Sequence, residues 1–235
     1  MIPSERPANR VLLESPADDR EAVLGDSQPI VVRAGQTFAG ADDPLLSIFF
    51  PVSGVVTYVG EMTTGHEVSV AAVGCEGIVG GTAMGMARHP YRIVALLDCE
   101  GYQVPIDAFR RAFGEREGFR AAVLASIGRQ WNEAASLVAC GRVHSHRQRV
   151  ARWLLMTLDK SQRSSMLLTH DDLARMVGGA RHAVTNVVNA LHRAGAIAHV
   201  RGRIDIVDRA VLAREACECY RRTAALTDPF DGSDG

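Results

Sequence analysis

The stretch from Leu168 to Val207, LTHDDLARMVGGARHAVTNVVNALHRAGAIAHVRGRIDIV, constrains the fold more than any other part of the chain. Thr169 followed three residues later by Asp172 is a T-x-x-D capping pattern, which satisfies free N–H groups at a helix start. A short helix is expected after it, with Leu173, Met176 and Val177 on one face. Gly178 and Gly179 then let the chain turn sharply, because glycine tolerates backbone angles other residues avoid. A second helix is expected from about Ala180 to Ala194, with Val184, Val187, Val188 and Leu191 as its apolar set and Gly195 as its stop. Helix, tight glycine turn and helix make a helix-turn-helix. Ile197–Val200 and Arg203–Val207 read as two short strands around Arg201-Gly202, which adds a wing.

The outward face of the second helix points to function. His182, Thr185, Asn186 and Asn189 recur at helical spacing and line one stripe, with Arg181 beside them at the start. A merely solvated face usually carries Glu and Lys pairs, yet no acid occurs between Ala180 and Ala194. Arg suits the guanine edge and Asn the adenine edge, so this stripe is expected to read bases. Thr169, Arg193, Arg201 and Arg203 are expected to meet the DNA backbone.

Charge follows the same division. Residues 1–140 hold 11 Arg against 17 acids, a balance of −6, whereas residues 141–222 hold 15 Lys or Arg against 7 acids, a balance of +8. The last 13 residues add three Asp, which leaves the net charge of −1. A basic C-terminal half fits a nucleic-acid partner. It argues against the alternative, an effector-binding module that acts through protein partners.

No apolar run approaches the roughly 20 residues of a membrane span, and the start MIPSERPANR lacks the apolar core of a signal peptide. A cytoplasmic protein with no membrane partner is expected. The five cysteines, Cys75, Cys99, Cys140, Cys217 and Cys219, are odd in number and include no C-x-x-C pair. Cys217 and Cys219 fall in a segment read as one last helix, Arg209–Arg222, which would place their thiols on different faces. No metal site is expected. His144 with His146, and His170 with Asp171 and Asp172, have simpler readings as helix-start residues. No phosphate loop, nucleophile elbow or zinc-ligand spacing appears, so no catalytic residue is assigned and no enzyme is expected.

The remaining chain divides by pattern. Residues 1–28 are polar and proline-containing, with one short helix around Arg10–Glu14, and read as a loosely held lead-in. Residues 29–112 carry short runs rich in Val, Ile and aromatics (Ile30–Arg33, Leu46–Phe50, Val55–Val59, Glu67–Val73, Tyr91–Leu97), separated by glycine turns. They predict an antiparallel β-roll of jelly-roll type. Gly77, Gly80 and Gly81 mark a bend where a small ligand would approach the backbone, or merely a corner. Residues 113–140 contain a long helix in which Leu124, Ile127, Trp131, Ala134 and Val138 repeat at 3-4-3-4 spacing, a seam expected to pair with a second copy, the alternative being a core helix lying on the β domain. Residues 141–222, starting at a hinge near Gly141 and a Ser145/Gln148 capping box, complete a winged helix-turn-helix unit, and residues 223–235 read as a disordered tail. The fold class is α+β: β-roll, dimer helix, winged helix-turn-helix.

These segments resemble the Crp/Fnr family of bacterial transcription regulators, most strongly in HSHRQRVARWLL (His144–Leu155), LTHDDLARMVGGARHAVT (Leu168–Thr185) and RGRIDIVDRAVL with ACECY (Arg201–Tyr220). FPVSGVV (Phe50–Val56) and VGCEGIVG (Val73–Gly80) sit at the turns of a cyclic-nucleotide-binding-like domain. The resemblance implies a homodimer that binds a palindromic operator in double-stranded DNA, a small-molecule effector, and RNA polymerase as a further candidate partner. It places the effector pocket at Gly77, Ile78, Gly80, His89 and Arg92. Cyclic-nucleotide members have Gly-Glu for the ribose and Arg-Ser or Arg-Thr for the phosphate, where this chain has Gly77-Ile78 and His89-Pro90. That argues against cyclic AMP, although Arg88 or Arg92 is a candidate phosphate ligand. No cysteine precedes Cys75, so the N-terminal iron–sulfur cluster of other members is not expected and the effector stays unidentified. In the reading helix Arg181 matches the family's first Arg, while His182 and Asn186 replace its usual Glu and later Arg, so the operator should differ.

Overall fold

The computed structural model describes residues 9–86, 88–163, 165–200 and 202–227. The chain forms two compact units that divide inside a long helix: residues up to Gln130 together with Lys160–Gln162, and Trp131–Asp159 together with the residues from Arg163 onward.

The first unit begins with helices α1 (Arg10–Glu14) and α2 (Ala17–Gly25). Strands β1 (Gln28–Val32), β2 (Thr37–Ala39), β3 (Ser47–Ser53), β4 (Val56–Glu61), β5 (Glu67–Val73), β6 (Arg92–Ala95) and β7 (Cys99–Pro105) follow. They pair antiparallel in two sheets, ordered β1-β7-β3 and β2-β6-β4-β5. Helix α3 (Ile106–Glu115) and the start of α4 (Glu117–Val143) complete the unit. The alternation of β3 explains the packing. Ile48 and Phe50 join the helix-side core with Leu12, Phe109 and Phe119, while Phe49, on the opposite strand face, joins Val56, Tyr58, Val73 and Ile93 between the sheets. A strand buried on both faces reads as a continuous apolar run, as IFF does here.

The N-terminal segment is not loosely held in its described part. Val11 and Leu12 are fully buried, and so is Asn9. The Asn9 amide oxygen caps α1 by accepting from the Val11 and Leu12 N–H groups, at 3.0 and 3.4 Å. Its Nδ2 donates to the carbonyls of Pro51 and Gly77 at 2.9 and 2.8 Å. These partners are remote in sequence, and two apolar residues give no period to read.

The second unit holds the end of α4, then α5 (His146–Ser161) as far as Asp159, β8 (Ser165–Leu167), α6 (His170–Val177), α7 (Arg181–Arg193), β9 (Ile197–Val200), β10 (Arg203–Ile206), α8 (Arg209–Glu215) and α9 (Cys219–Thr227). β8, β10 and β9 pair antiparallel in that order, forming the wing. The Ser145/Gln148 box forms at the start of α5, each side chain meeting the other's backbone N–H. Trp153, Leu154, Leu155 and Leu158 are buried as their spacing requires.

Three expectations change. Gly141 lies inside α4 and is no hinge, a position that costs only about 1 kcal/mol relative to Ala. The single last helix is two, broken at residues 216–218, and the second continues to Thr227, past the expected start of the tail. Cys217 therefore precedes a helix, and the argument that set its thiol apart from that of Cys219 fails. The rest of the expected tail lies outside the described residues.

Candidate nucleic-acid interface and effector domain

Helix α6 starts on a complete capping box. The Thr169 hydroxyl accepts from the Asp172 N–H at 3.1 Å, and the Asp172 carboxylate accepts from the Thr169 N–H at 2.9 Å. Burial opposes the charge on Asp172, but the Thr169 donors and Arg175 together hold its carboxyl below the usual range. Gly178 then takes a left-handed φ of 66°, and a Cβ at Gly179 would meet His146 Nε2 at 2.6 Å. The turn needs Gly178 for its angle, while a side chain at Gly179 would require the His146 ring to move aside.

Helix α7 buries Val184, Val188 and Leu191 completely. The opposite edge leaves Arg181, His182 and Asn186 exposed, with Asn189 half-buried. Arginine and histidine at a helix N-terminus oppose the helix dipole, so helix stability does not explain their placement. The α7 N-cap, Ala180, contributes no side-chain cap. Two stripe residues are engaged within the unit. Arg181 Nε stands 3.2 Å from Asp171 Oδ1, with side-chain exposures of 70% and 54%. The Thr185 hydroxyl is 3.0 Å from His170 Nδ1, so Thr185 ties α7 to α6 and is less free than the sequence suggested.

The expected backbone contacts are also sorted by structure. Arg193 is exposed in the last turn of α7. Arg203 Nε donates to both oxygens of Asp205, at 2.9 and 3.1 Å. The Thr169 hydroxyl belongs to the capping box. Arg201 lies outside the described residues. Three histidine rings gather beside the wing: His199 lies 5.7 Å from His170 and 5.2 Å from His192. Desolvation, then the charges of His170 and His192, lower the pKa of His199 from 6.5.

In the β-roll each of the expected effector residues is already engaged within the unit. Ile78 is fully buried in the helix-side core. The Gly77 carbonyl accepts from Asn9, and Gly80, at φ 94°, donates its N–H to the Tyr58 hydroxyl at 2.8 Å. His89 is 2% exposed, lies against the rings of Tyr58 and Tyr91, and shares its Nδ1 with the Tyr91 backbone. Arg92 is held by Glu61 and Glu67, at 2.8 and 2.5 Å. A phosphate would have to displace two carboxylates to reach it. Glycine spacing could not reveal this, because Glu61 and Glu67 come from a neighbouring hairpin. A cavity of about 340 Å³ is lined by Phe38, Leu45, Phe49, Val79 and Ile93, with Asp43, Ser47 and Gln103 among its polar groups.

The long helix exposes Leu124 (53%), Trp131 (73%) and Val138 (62%), whereas Ile127 packs on the core and Ala134 is half-buried. Among the described residues no helix is long and apolar enough to cross a membrane.

Sequence reasoning missed Asn9, the Asp171 partner of Arg181, and a group formed by Cys140, His144, Cys217 and Cys219. A usable signal for the last was the C-x3-H spacing, which places Cys140 and His144 on one helical face.

Fold and motif define a protein that joins a cyclic-nucleotide-binding type of β-roll to a winged helix-turn-helix. Residues 29–116 match the cyclic nucleotide-binding domain family, and residues 148–215 match the Crp-like helix-turn-helix domain family. The chain belongs to the Crp/Fnr family of transcription regulators. Its fold is similar to a CRP-family transcriptional regulator from Thermus thermophilus, at 20% identity and a TM-score of 0.67, over 80% of this chain and 96% of that one. FixK2 from Bradyrhizobium japonicum is similar at 17% identity and a TM-score of 0.69, over 81% and 98% of the two chains. The c-di-GMP-responsive global regulator CLP of Xanthomonas campestris is similar at 14% identity and a TM-score of 0.66, over 82% and 100%. At these identities the likeness is one of fold. No curated protein sequence matches significantly.

Proposed function

We propose that this regulator binds a palindromic operator as a homodimer and lays the Arg181–Asn189 edge of α7 into the major groove. The exposed Arg181, His182 and Asn186 on a helix with no acid carry the reading. Arg181 suits a guanine, and Asn186 or Asn189 an adenine. Arg193 and Arg203 hold the backbone, Arg203 on release from Asp205. The apolar stripe of Leu124, Trp131 and Val138 pairs with its counterpart on a second copy, which burial favours by about 25 cal/mol per Å². The pairing sets two reading helices on half-sites about one DNA turn apart.

Arg92 is neutralised by Glu61 and Glu67, and among the described residues no cation lines the 340 Å³ cavity. A ligand for this domain is then recognised through apolar contact rather than through a cyclic phosphate. Calorimetry against cyclic AMP and cyclic GMP tests this: micromolar binding of either would overturn it.

Arg181→Ala tests the DNA reading. It is expected to weaken operator binding by about 1–3 kcal/mol while sparing most non-specific binding. An unchanged operator preference would remove Arg181 from base reading. Failure of the intact protein to prefer any genomic fragment would favour a protein-binding module instead.

A further inference from the structure

Three of the five cysteines meet one histidine. Cys140 lies in the last turn of α4 and His144 is the first residue after it, its N–H donating to the Cys140 carbonyl at 3.1 Å. Cys217 lies just before α9 and Cys219 opens it. The ligand atoms of all four lie within 4.8 Å of one another. The three thiols are buried and the His144 side chain is 11% exposed.

Buried cysteines often gather as small apolar residues. Two further observations point to an ion. The first is the orientation of His144. Its Nδ1 stands 3.7 Å from Cys219 Sγ, while its Nε2 stands 3.1 Å from Glu218 Oε1. One ring nitrogen faces the thiols and the other meets a carboxylate. That is how a metal-bound histidine is held, since the carboxylate fixes the tautomer and raises the basicity of the ligating nitrogen. The second is Arg152, which is 3% exposed and donates from Nη1 to Met156 Sδ at 3.2 Å; burial pushes the Cys140 and Cys219 thiols up, and the Arg152 charge works against that rise. Among the described residues its Nε has no hydrogen-bond partner. A buried cation needs compensating charge.

We propose that Cys140, His144, Cys217 and Cys219 form a closed, mononuclear Cys3His site for Zn2+ or a similar thiophilic divalent ion. Bonds of about 2.3 Å to sulfur and 2.0–2.1 Å to nitrogen in a tetrahedron place ligands about 3.8 Å apart for two sulfurs and about 3.6 Å for sulfur and nitrogen. The Cys140 and Cys217 sulfurs are 3.6 Å apart, and Cys219 and His144 are 3.7 Å apart. The mutual limit of 4.8 Å suits one ion rather than a cluster, which spreads its ligands over several metals. Binding releases three thiol protons to solvent and forms three metal–thiolate bonds and one metal–imidazole bond. Three thiolates and a neutral imidazole around a divalent ion carry one negative charge, which Arg152 offsets. Four protein ligands leave no open position, so the ion is structural. It staples the end of the long helix to the α8–α9 turn, 77 residues away along the chain.

The test is metal content of the untagged full-length protein, purified under reducing conditions without chelator. About one zinc per chain is expected, and exchange for Co2+ should give the thiolate charge-transfer and intense ligand-field absorption of a tetrahedral site. Cys217→Ser and His144→Ala should lose both signals, while Cys99→Ser, which alters a buried cysteine elsewhere, should keep them. Glu218→Gln, at an exposed position that should leave the fold intact, should weaken affinity about 10–100-fold without changing stoichiometry. Folded protein without metal and with three freely titrating thiols overturns the site. So does a Cys140–Cys217 disulfide found by peptide mass in the protein as isolated.

Discussion

Removing the carboxylate of Asp171 should tighten operator binding. In the free protein Asp171 holds Arg181 at 3.2 Å, and both side chains are more than half exposed. Solvent screening limits such a pair to about 0.2–1 kcal/mol. Arg181 must leave Asp171 to reach a guanine, so this amount opposes binding and is absent in Asp171→Asn. Losing one acid near the phosphates acts in the same direction. The expected gain is about two- to fivefold in affinity, since 1.4 kcal/mol is a factor of ten. Asp171 also lies in the first turn of α6, where its loss costs about 0.3–1 kcal/mol of stability. The variant should therefore melt slightly lower while binding more tightly. Fluorescence anisotropy on an operator recovered by selection from genomic fragments measures the first effect, and thermal unfolding the second. Weaker binding by a folded Asp171→Asn protein would refute the reasoning. It would mean that Asp171 positions Arg181 for the base instead of competing for it.

Other outcomes follow from the same contacts. Asn9→Ala removes a cap and leaves the Pro51 and Gly77 carbonyls unpaired in the core, so stability should fall by about 3–5 kcal/mol in urea unfolding; a loss under about 1 kcal/mol would mean the segment contributes little. Trp131→Glu places a charge on the exposed stripe of α4 and should shift sedimentation equilibrium from dimer to monomer with helicity retained; an intact dimer would move the interface elsewhere. Arg193→Ala should reduce the salt slope of DNA binding by about 1 and leave base preference alone, and a changed preference would contradict its backbone role. Burial and its histidine neighbours depress the pKa of His199, so the unfolded chain binds this proton first as pH falls below 6.5. Stability is then fully present above that value and declines below it, and His199→Asn should flatten that part of the stability–pH curve.

What could be read from the sequence depended on how local each determinant was. The helix-turn-helix was legible because its signals are adjacent: Thr169 with Asp172, left-handed Gly178, and Gly195 just after α7. β3 and β5 were legible from their apolar runs and bounding turns. Asn9 was not, because the partners of its amide nitrogen lie 42 and 68 residues away. Arg92 read as a phosphate ligand because nothing near it in sequence showed that Glu61 and Glu67 would hold it. Thr185 read as a free base contact because the bond to His170 forms only when α6 and α7 pack. The cysteines were set aside because residues 216–218 looked helical, and one local break returned Cys217 to the side of Cys219.

In the proposed complex two copies read one duplex through their Arg181–Asn189 edges. Hydroxyl-radical footprinting of the full-length protein on a selected operator tests it most directly. Two symmetric protected half-sites are expected, with centres about 10–10.5 base pairs apart, both lost in an Arg181→Ala, Asn186→Ala double variant that still dimerises. A single unpaired footprint, or a symmetric one unchanged in that variant, would contradict it.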